Sequence, residues 1–282
     1  MNRAAIDIEQ AQPQTLRIAV AGAGGRMGRM LIDATLHSTD CVLVAALEQA
    51  DSPLIGQDAA GGSAPCGVAV QSDVHAALAQ GRADCLIDFT RPAGTLAHLA
   101  VCAELGVNMV IGTTGFSPAQ LAEISARARR TALVLAPNMG VGINVLLKLL
   151  ELAAQALPDS DWDVEIIEAH HRHKVDAPSG TALQMGQVIA DAQGSELAAR
   201  AVYARHGHTG ERAPGSIGFA TVRGGDLVGE HSALFIGSGE RITISHQSTA
   251  RSGYAQGSLR AARFLAGKTS GQYSMRDVLG LG

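Results

Sequence analysis

From Leu16 onward, short uninterrupted apolar runs alternate with longer segments of helical periodicity, and this alternation constrains the fold more than any other feature of the chain. The runs are Leu16–Ala21, Val42–Leu47, Cys85–Phe89, Val107–Ile111 and Leu133–Ala136, with helical patterns at Met27–His37, Thr95–Leu105 and Pro118–Arg129. A strand wetted on one side alternates polar with apolar residues, whereas a continuous apolar run needs cover on both faces. Strands separated by helices and covered on both sides make a doubly wound parallel α/β sheet.

The pattern breaks around Pro137, Gly140 and Gly142, where an apolar helix follows over roughly 143–157. Strand-like Val164–His170 then leads into a helix near Gly180–Asp191. Ser216–Arg223, Asp226–Ile236 and Arg241–His246 read as strands joined by Gly224-Gly225 and Ser238-Gly239. Two-residue glycine turns are hairpin signals, so this half predicts a smaller α+β domain with an antiparallel sheet and a helix on one face. The uncovered face invites self-association. Helical Gly253–Ala266 is expected back against the first domain. The 282 residues therefore divide into 1–141 with 250–282, of which 1–15 is a loose tail, and 142–249; at roughly 150 residues per domain, two is also the number that length suggests.

Twenty-two Lys and Arg against 26 Asp and Glu give a net charge of −4, and aromatic residues make up 3% of the chain. Nucleic-acid binding, which needs cations and stacking platforms, is not expected. Cys41, Cys66, Cys85 and Cys102 lie far apart without a C-x-x-C pair, as expected of buried thiols in a reducing cytoplasm. No apolar stretch is long enough for a membrane span.

The first strand runs straight into Gly22-Ala23-Gly24-Gly25-Arg26-Met27-Gly28 and a helix. A turn without Cβ atoms lets backbone N–H groups and a helix N-terminus approach a pyrophosphate. The spacing fits G-x-x-G-x-x-G through Gly22, Gly25 and Gly28, with Met27 where a G-x-G-x-x-G fingerprint would place its last glycine. Glu48 ends the second strand about 20 residues further on, where an acid accepts hydrogen bonds from a ribose. This order of elements predicts a Rossmann-like dinucleotide site. Gln49 offers no cation for a 2′-phosphate and Arg26 is the nearby candidate, so NADH and NADPH both remain open. Gly112-Thr113-Thr114-Gly115 and Pro137-Asn138-Met139-Gly140 close two further strands, and at the same sheet edge they should line the nicotinamide half.

The densest polar segment runs from Glu168 to Thr181. Strand alternation would set His171 and His173 on one face and His170 and Arg172 on the other. One face then offers only two histidines, so zinc is the lesser reading and no metal is expected. Pro178 suits a first helical turn, and Ser179, Gly180 and Thr181 would present hydroxyls and backbone N–H groups at a helix N-terminus. Facing Arg172 or Lys174, that terminus predicts a carboxylate pocket, and two such loci suggest a dicarboxylate. Histidine and a partly desolvated lysine both suit general acid work. A protein that only senses nucleotide would need the glycine turn but not this segment, and a zinc hydrolase would need a third ligand.

Gly22–Gly28, Asp88-Phe-Thr-Arg-Pro92, Gly112-Thr-Thr-Gly-Phe116, Glu168-Ala-His-His-Arg-His-Lys174 and Asp176-Ala-Pro-Ser-Gly-Thr181 together resemble the 4-hydroxy-tetrahydrodipicolinate reductase (dihydrodipicolinate reductase) family of lysine and diaminopimelate biosynthesis. The likeness extends from about Leu16 to Met275–Leu279, through His206–Arg212 and Arg223–His231. It implies NAD(P)H-dependent reduction of a cyclic imine dicarboxylate in a homotetramer assembled through the open sheets. It further implies that His170 is the proton donor/acceptor and Lys174 a proton donor, with His171, Gly180 and Thr181 on the substrate. Gly22–Met27, Glu48, Gly112–Thr114 and Ala136–Met139 correspond to its cofactor contacts. Gln49 stands where NADPH-preferring members often carry Arg, and Gly140 where a Ser is common. The stretches near Pro137–Gly142 and Ser248–Gly253 are expected to act as hinges between the domains.

Overall fold

The computed structural model describes residues 15–62 and 64–282, so most of the expected loose tail lies outside the described residues. The chain forms two compact units, one running through Met139 and resuming at Ala255–Val278, the other Gly140–Tyr254 with the last four residues. The first contains β1 (Leu16–Ala21), α1 (Arg26–Leu36), β2 (Cys41–Leu47), β3 (Val70–Gln71), α2 (Val74–Gly81), β4 (Cys85–Asp88), α3 (Pro92–Leu105), β5 (Asn108–Ile111), α4 (Pro118–Arg127) and β6 (Ala132–Leu135). The second contains α5 (Val141–Ala156), β7 (Asp163–His170), α6 (Gly180–Ala192), α7 (Leu197–Arg200), β8 (Ala201–Val202), β9 (Ile217–Arg223), β10 (Gly229–Ile236) and β11 (Arg241–Ser248). α8 (Ser252–Leu265), β12 (Gly271–Tyr273) and α9 (Met275–Leu279) carry the chain back to the first unit.

In the first unit seven strands pair in the order β12-β6-β5-β4-β1-β2-β3, all parallel. Every residue of β4 is buried, as the uninterrupted apolar runs require. Two of this unit's helices start where side chains answer free N–H groups. Asp73 caps α2, and Ser117 with Gln120 forms a reciprocal capping box on α4. The strand order reverses about β1, which opens a crevice at the carboxyl ends of β1 and β4. The returning segment is tied down by Arg263, whose guanidinium donates to both Asp40 oxygens, and by Asn108, whose amide donates to the carbonyls of Leu265 and Lys268.

The second unit corrects one expectation. Its five strands run β11-β10-β7-β9-β8 in a mixed sheet: β10 is antiparallel to β11 and β7, but β7 and β9 are parallel. Gly224-Gly225 is therefore not a hairpin turn. The helical crossover through α6 returns the chain parallel to β7, and β9 takes one flank of β7 while β10 takes the other. The glycine pair instead crosses the end of β7, with the Gly224 N–H donating to the His170 carbonyl and the Arg172 N–H to the Gly225 carbonyl. Ser238-Gly239 does close the β10–β11 hairpin, where Ile236 faces Arg241. One sheet face packs on α5 and α6 around Leu150, Ile166, Met185, Phe219 and Phe235. Ile167, Val222 and Ile236 stay exposed.

A Cβ added at Gly28 would overlap the Gly22 carbonyl oxygen, so α1 and β1 cross at a distance only glycine permits. Gly28→Ala is expected to cost about 1–3 kcal/mol by overpacking and to lower the thermal midpoint by several degrees. Gly253→Ala, within α8 and with open space around it, serves as the matched control and should leave the midpoint unchanged or slightly higher.

Candidate functional site

Each unit carries one cluster of the residues that the sequence singles out. In the first unit they gather at the carboxyl edge of the sheet. Gly22 has φ +71°, which frees the chain to turn out of β1, and Gly25 caps α1 with no side chain over the helix N-terminus. Glu48 closes β2 and reaches back: one carboxylate oxygen accepts from the Gly24 N–H at 2.8 Å and the other from the Gln49 N–H at 3.1 Å. A cavity of about 340 Å³ opens beside it, lined by Gly22, Glu48, Gln49, Thr90, Arg91 and His98 among others. An open helix N-terminus, glycines in contact range and a carboxylate at the adjacent strand end fit a dinucleotide.

A buried carboxylate organises this edge. Asp88 ends β4 fully buried and accepts from the Thr90 N–H and from the hydroxyls of Thr90, Thr95 and Thr113, while His98 Nδ1 lies 2.7 Å from its other oxygen. Burial alone would raise its pKa, but His98 first and then Thr90 outweigh it and hold the carboxyl below its ordinary value. Thr113 is buried in this network, so only its backbone can face a ligand, while Thr114 is exposed. Gly112 lies so close to Phe89 that no side chain fits there. Ala136 and Met139 are buried, Asn138 is half-buried and Pro137 is exposed. Arg26 is exposed, and Ala23 is buried.

In the second unit β7 ends at His170, and the alternation expected beyond it gives way to a turn. Glu168 and His170, two residues apart, share the inner face. Thr221 on β9 and His231 on β10 sit directly opposite Glu168. Glu168 is 1% exposed and its carboxylate is fully used. Oε2 meets His170 Nδ1 at 2.6 Å and accepts from Arg223 at 2.7 Å; Oε1 accepts from Arg223 at 2.7 Å, the Ser179 N–H at 3.0 Å and the Thr221 hydroxyl at 3.2 Å. Desolvation works to raise this carboxyl, but Arg223, then His170 and Ser179, hold it down at about 2.

With Nδ1 engaged, His170 turns Nε2 toward Gly229, where an added Cβ would stand 3.1 Å from it. His231 packs edge-on against His170 at 5.0 Å between ring centroids, and its Nε2 lies 3.0 Å from the Ser179 hydroxyl. Burial first, then His170, pushes the His231 pKa down to about 4. Ser179 caps α6 through Ala182 and is 2% exposed, so its hydroxyl serves the fold instead of facing an anion. Pro178 precedes that cap and lies outside the helix. Gly180 and Thr181 remain accessible at the α6 N-terminus. Lys174 pairs with Asp176 at 2.9 Å, and the His171 and His173 rings are 6.2 Å apart. Partial desolvation, then the neighbouring Arg251, lowers the His171 pKa. Among the described residues no three His, Cys, Asp or Glu side chains converge as a metal-ligand group.

Glu168, Arg223, His231, Arg251 and Asp88 were not singled out as site residues. Period two along β7 is the signal that could have linked Glu168 to His170; Arg223 and His231 depend on strand pairing that the sequence does not display.

Comparison with known proteins gives a consistent result. The family models for the dihydrodipicolinate reductase N-terminus and C-terminus match residues 16–139 and 142–279. Proteins described as 4-hydroxy-tetrahydrodipicolinate reductase from Nitrosomonas eutropha and Herminiimonas arsenicoxydans are 59% and 61% identical, each over 94% of this chain and 98% of the relative. A solved dipicolinate-bound dihydrodipicolinate reductase from Paenisporosarcina sp. TG-14 matches with a TM-score of 0.77 at 28% identity, covering 94% of this chain and 99% of that one. An amine dehydrogenase from Mycobacterium smegmatis, 17% identical with a TM-score of 0.57 over 92% of this chain and 95% of its own, shares the fold.

The depressed pKa values set the acid sensitivity. The folded value of His231, about 4, lies below the ordinary 6.5, so the unfolded chain takes up that proton first. Stability from neutral His231 is intact above pH 6.5 and is lost as pH falls to about 4. Glu168 adds a second loss from its ordinary 4.5 down to about 2. The thermal midpoint should fall over both windows, and His231→Gln should flatten the upper one while the lower one persists.

Proposed function

Since the chain belongs to the dihydrodipicolinate reductase family, we infer that it reduces 4-hydroxy-tetrahydrodipicolinate, a cyclic imine dicarboxylate, to tetrahydrodipicolinate with NADH or NADPH. The reaction belongs to lysine and diaminopimelate biosynthesis. The observation that carries the assignment is the Glu168-held His170 at the end of β7, with Lys174 on the loop that follows and the accessible Gly180–Thr181 start of α6. Going from the hydroxy-imine to tetrahydrodipicolinate releases the ring hydroxyl as water with a proton from the adjacent carbon. A hydride then adds to one carbon and a proton to its neighbour across the carbon–carbon double bond so formed, the C=N bond being retained. The bound nicotinamide supplies the hydride.

The chain's own residues supply the rest. Gly22–Met27 with Glu48, Gly112–Thr114 and Ala136–Met139 hold and orient the dinucleotide, mainly through backbone groups. Gly180 and Thr181 offer N–H groups to one carboxylate, and His171 with the surrounding cations receives the second. His170, through Nε2, and Lys174, through Nζ, hold the proton delivered to the ring carbon next to the one that takes the hydride. Ser179 contributes to this pocket by capping the helix that forms it. Residues 1–141 with 250–282 serve nucleotide binding, and 142–249 serve substrate binding and subunit association. No helix among the described residues is long and apolar enough to cross a membrane. We place the enzyme in the cytoplasm as a homotetramer, with exposed Ile167, Val222 and Ile236 as the apolar surface that supports association.

The test follows NADH absorbance on addition of freshly generated imine. Turnover is expected; binding without oxidation would indicate a nucleotide sensor instead. Lys174→Ala should lower kcat by about 10²-fold or more while cofactor affinity changes little, because the ammonium acts at the transition state. Unchanged turnover in that variant removes Lys174 from the mechanism.

A further inference from the structure

We infer that Glu168 is a positioning residue for the proposed reduction: its carboxylate decides which nitrogen of His170 faces the substrate. The inference rests on the assignment of His170 as a proton-holding group and goes beyond it. An ionised carboxylate can only accept, so the 2.6 Å contact obliges His170 Nδ1 to carry a hydrogen. Nε2 is then the nitrogen at which a proton is held or released, and it is the nitrogen directed toward Gly229. Glu168 itself is 1% exposed and never reaches a ligand.

The other partners of Glu168 secure this arrangement. The two Arg223 contacts and the Ser179 N–H come from groups that cannot accept a hydrogen bond, and Thr221 adds a hydroxyl. An amide at position 168 would carry one NH₂ into this ring of donors. On the Oε1 side it would oppose both the Ser179 N–H and Arg223. On the Oε2 side it would oppose Arg223 Nη1 as well, but there the other neighbour, the His170 ring, can change its role by moving its proton from Nδ1 to Nε2. Glu168→Gln is therefore expected to reverse the tautomer, with Arg223 keeping only its contact to Oε1.

The charged and titratable groups around His170 are Glu168 on its own strand, Arg223 on β9, His231 on β10, and His171 and Lys174 on the loop after β7, where Asp176 pairs with Lys174. Arg223 competes with His170 for the Glu168 charge, so the two substitutions should act in opposite directions.

The experiment measures kcat, KM for NADH and the pH profile of kcat for the full chain and two variants. Glu168→Gln should lower kcat by about 10²-fold, leave KM for NADH within about twofold, and move the profile toward acid by about one unit. Arg223→Gln should retain kcat within several-fold and move the profile toward alkali. A merely structural role would reduce the folded fraction without moving either profile. Wild-type kcat and an unmoved profile in folded Glu168→Gln overturn the inference. If Glu168→Gln does not fold, the Arg223→Gln profile decides, and an unmoved or acid-shifted profile overturns it. Absence of turnover in the unsubstituted chain would instead overturn the assigned reaction.

Discussion

A carboxylate taken out of water must have its lone pairs answered, and the second unit is arranged around meeting that requirement for Glu168. Its answering groups come from His170 on the same strand, from Thr221 and Arg223 on β9, and from Ser179 at the start of α6. Two strands and the start of a helix are thereby fixed to one point. The same bonds that make burial tolerable orient the ring that handles the proton, so folding and chemistry draw on one set of contacts. The first unit repeats the device with Asp88, which ends its own parallel strand and gathers Thr90, Thr95, His98 and Thr113 from the loops and helix around it. In each case an anion inside the protein, and not at its surface, sets the shape of the ligand-facing edge.

The first unit was largely legible in the sequence because its strands are continuous apolar runs and its turns carry glycine. Leu16–Ala21 is observed with the expected bounds, and β2, β4, β5 and β6 lie within a residue or so of theirs. β3 and β12, of two and three residues, are too short to display any period. The second unit was legible as elements but not as a sheet. Gly224-Gly225 has the composition of a hairpin turn, yet neighbours in sequence are not neighbours in this sheet, because β7 stands between β9 and β10. Local composition says how tightly the chain can turn; it does not say where it goes afterwards.

At the candidate site, residues recognisable by type and spacing were legible: the glycines, Glu48, His170, Lys174 and the α6 N-terminus. Residues whose role depends on being placed opposite something were not. Arg223 is one of many arginines until β9 is known to lie parallel to β7 with Arg223 beside His170. Ser179 shows the converse. Its position at a helix start is legible and observed, but the helix and His231 claim its hydroxyl.

The interrupted path of the first unit also bears on biosynthesis. β6 has its outer partner, β12, only after the whole second unit has been made, since Gly271–Tyr273 pairs with Ala132–Val134. During translation that border of the sheet stands with bare amide and carbonyl groups for well over a hundred residues of further synthesis, open to pairing with another nascent chain. The short strand β12 thus acts as a late closure, and its arrival after the second unit is what covers this border of the sheet.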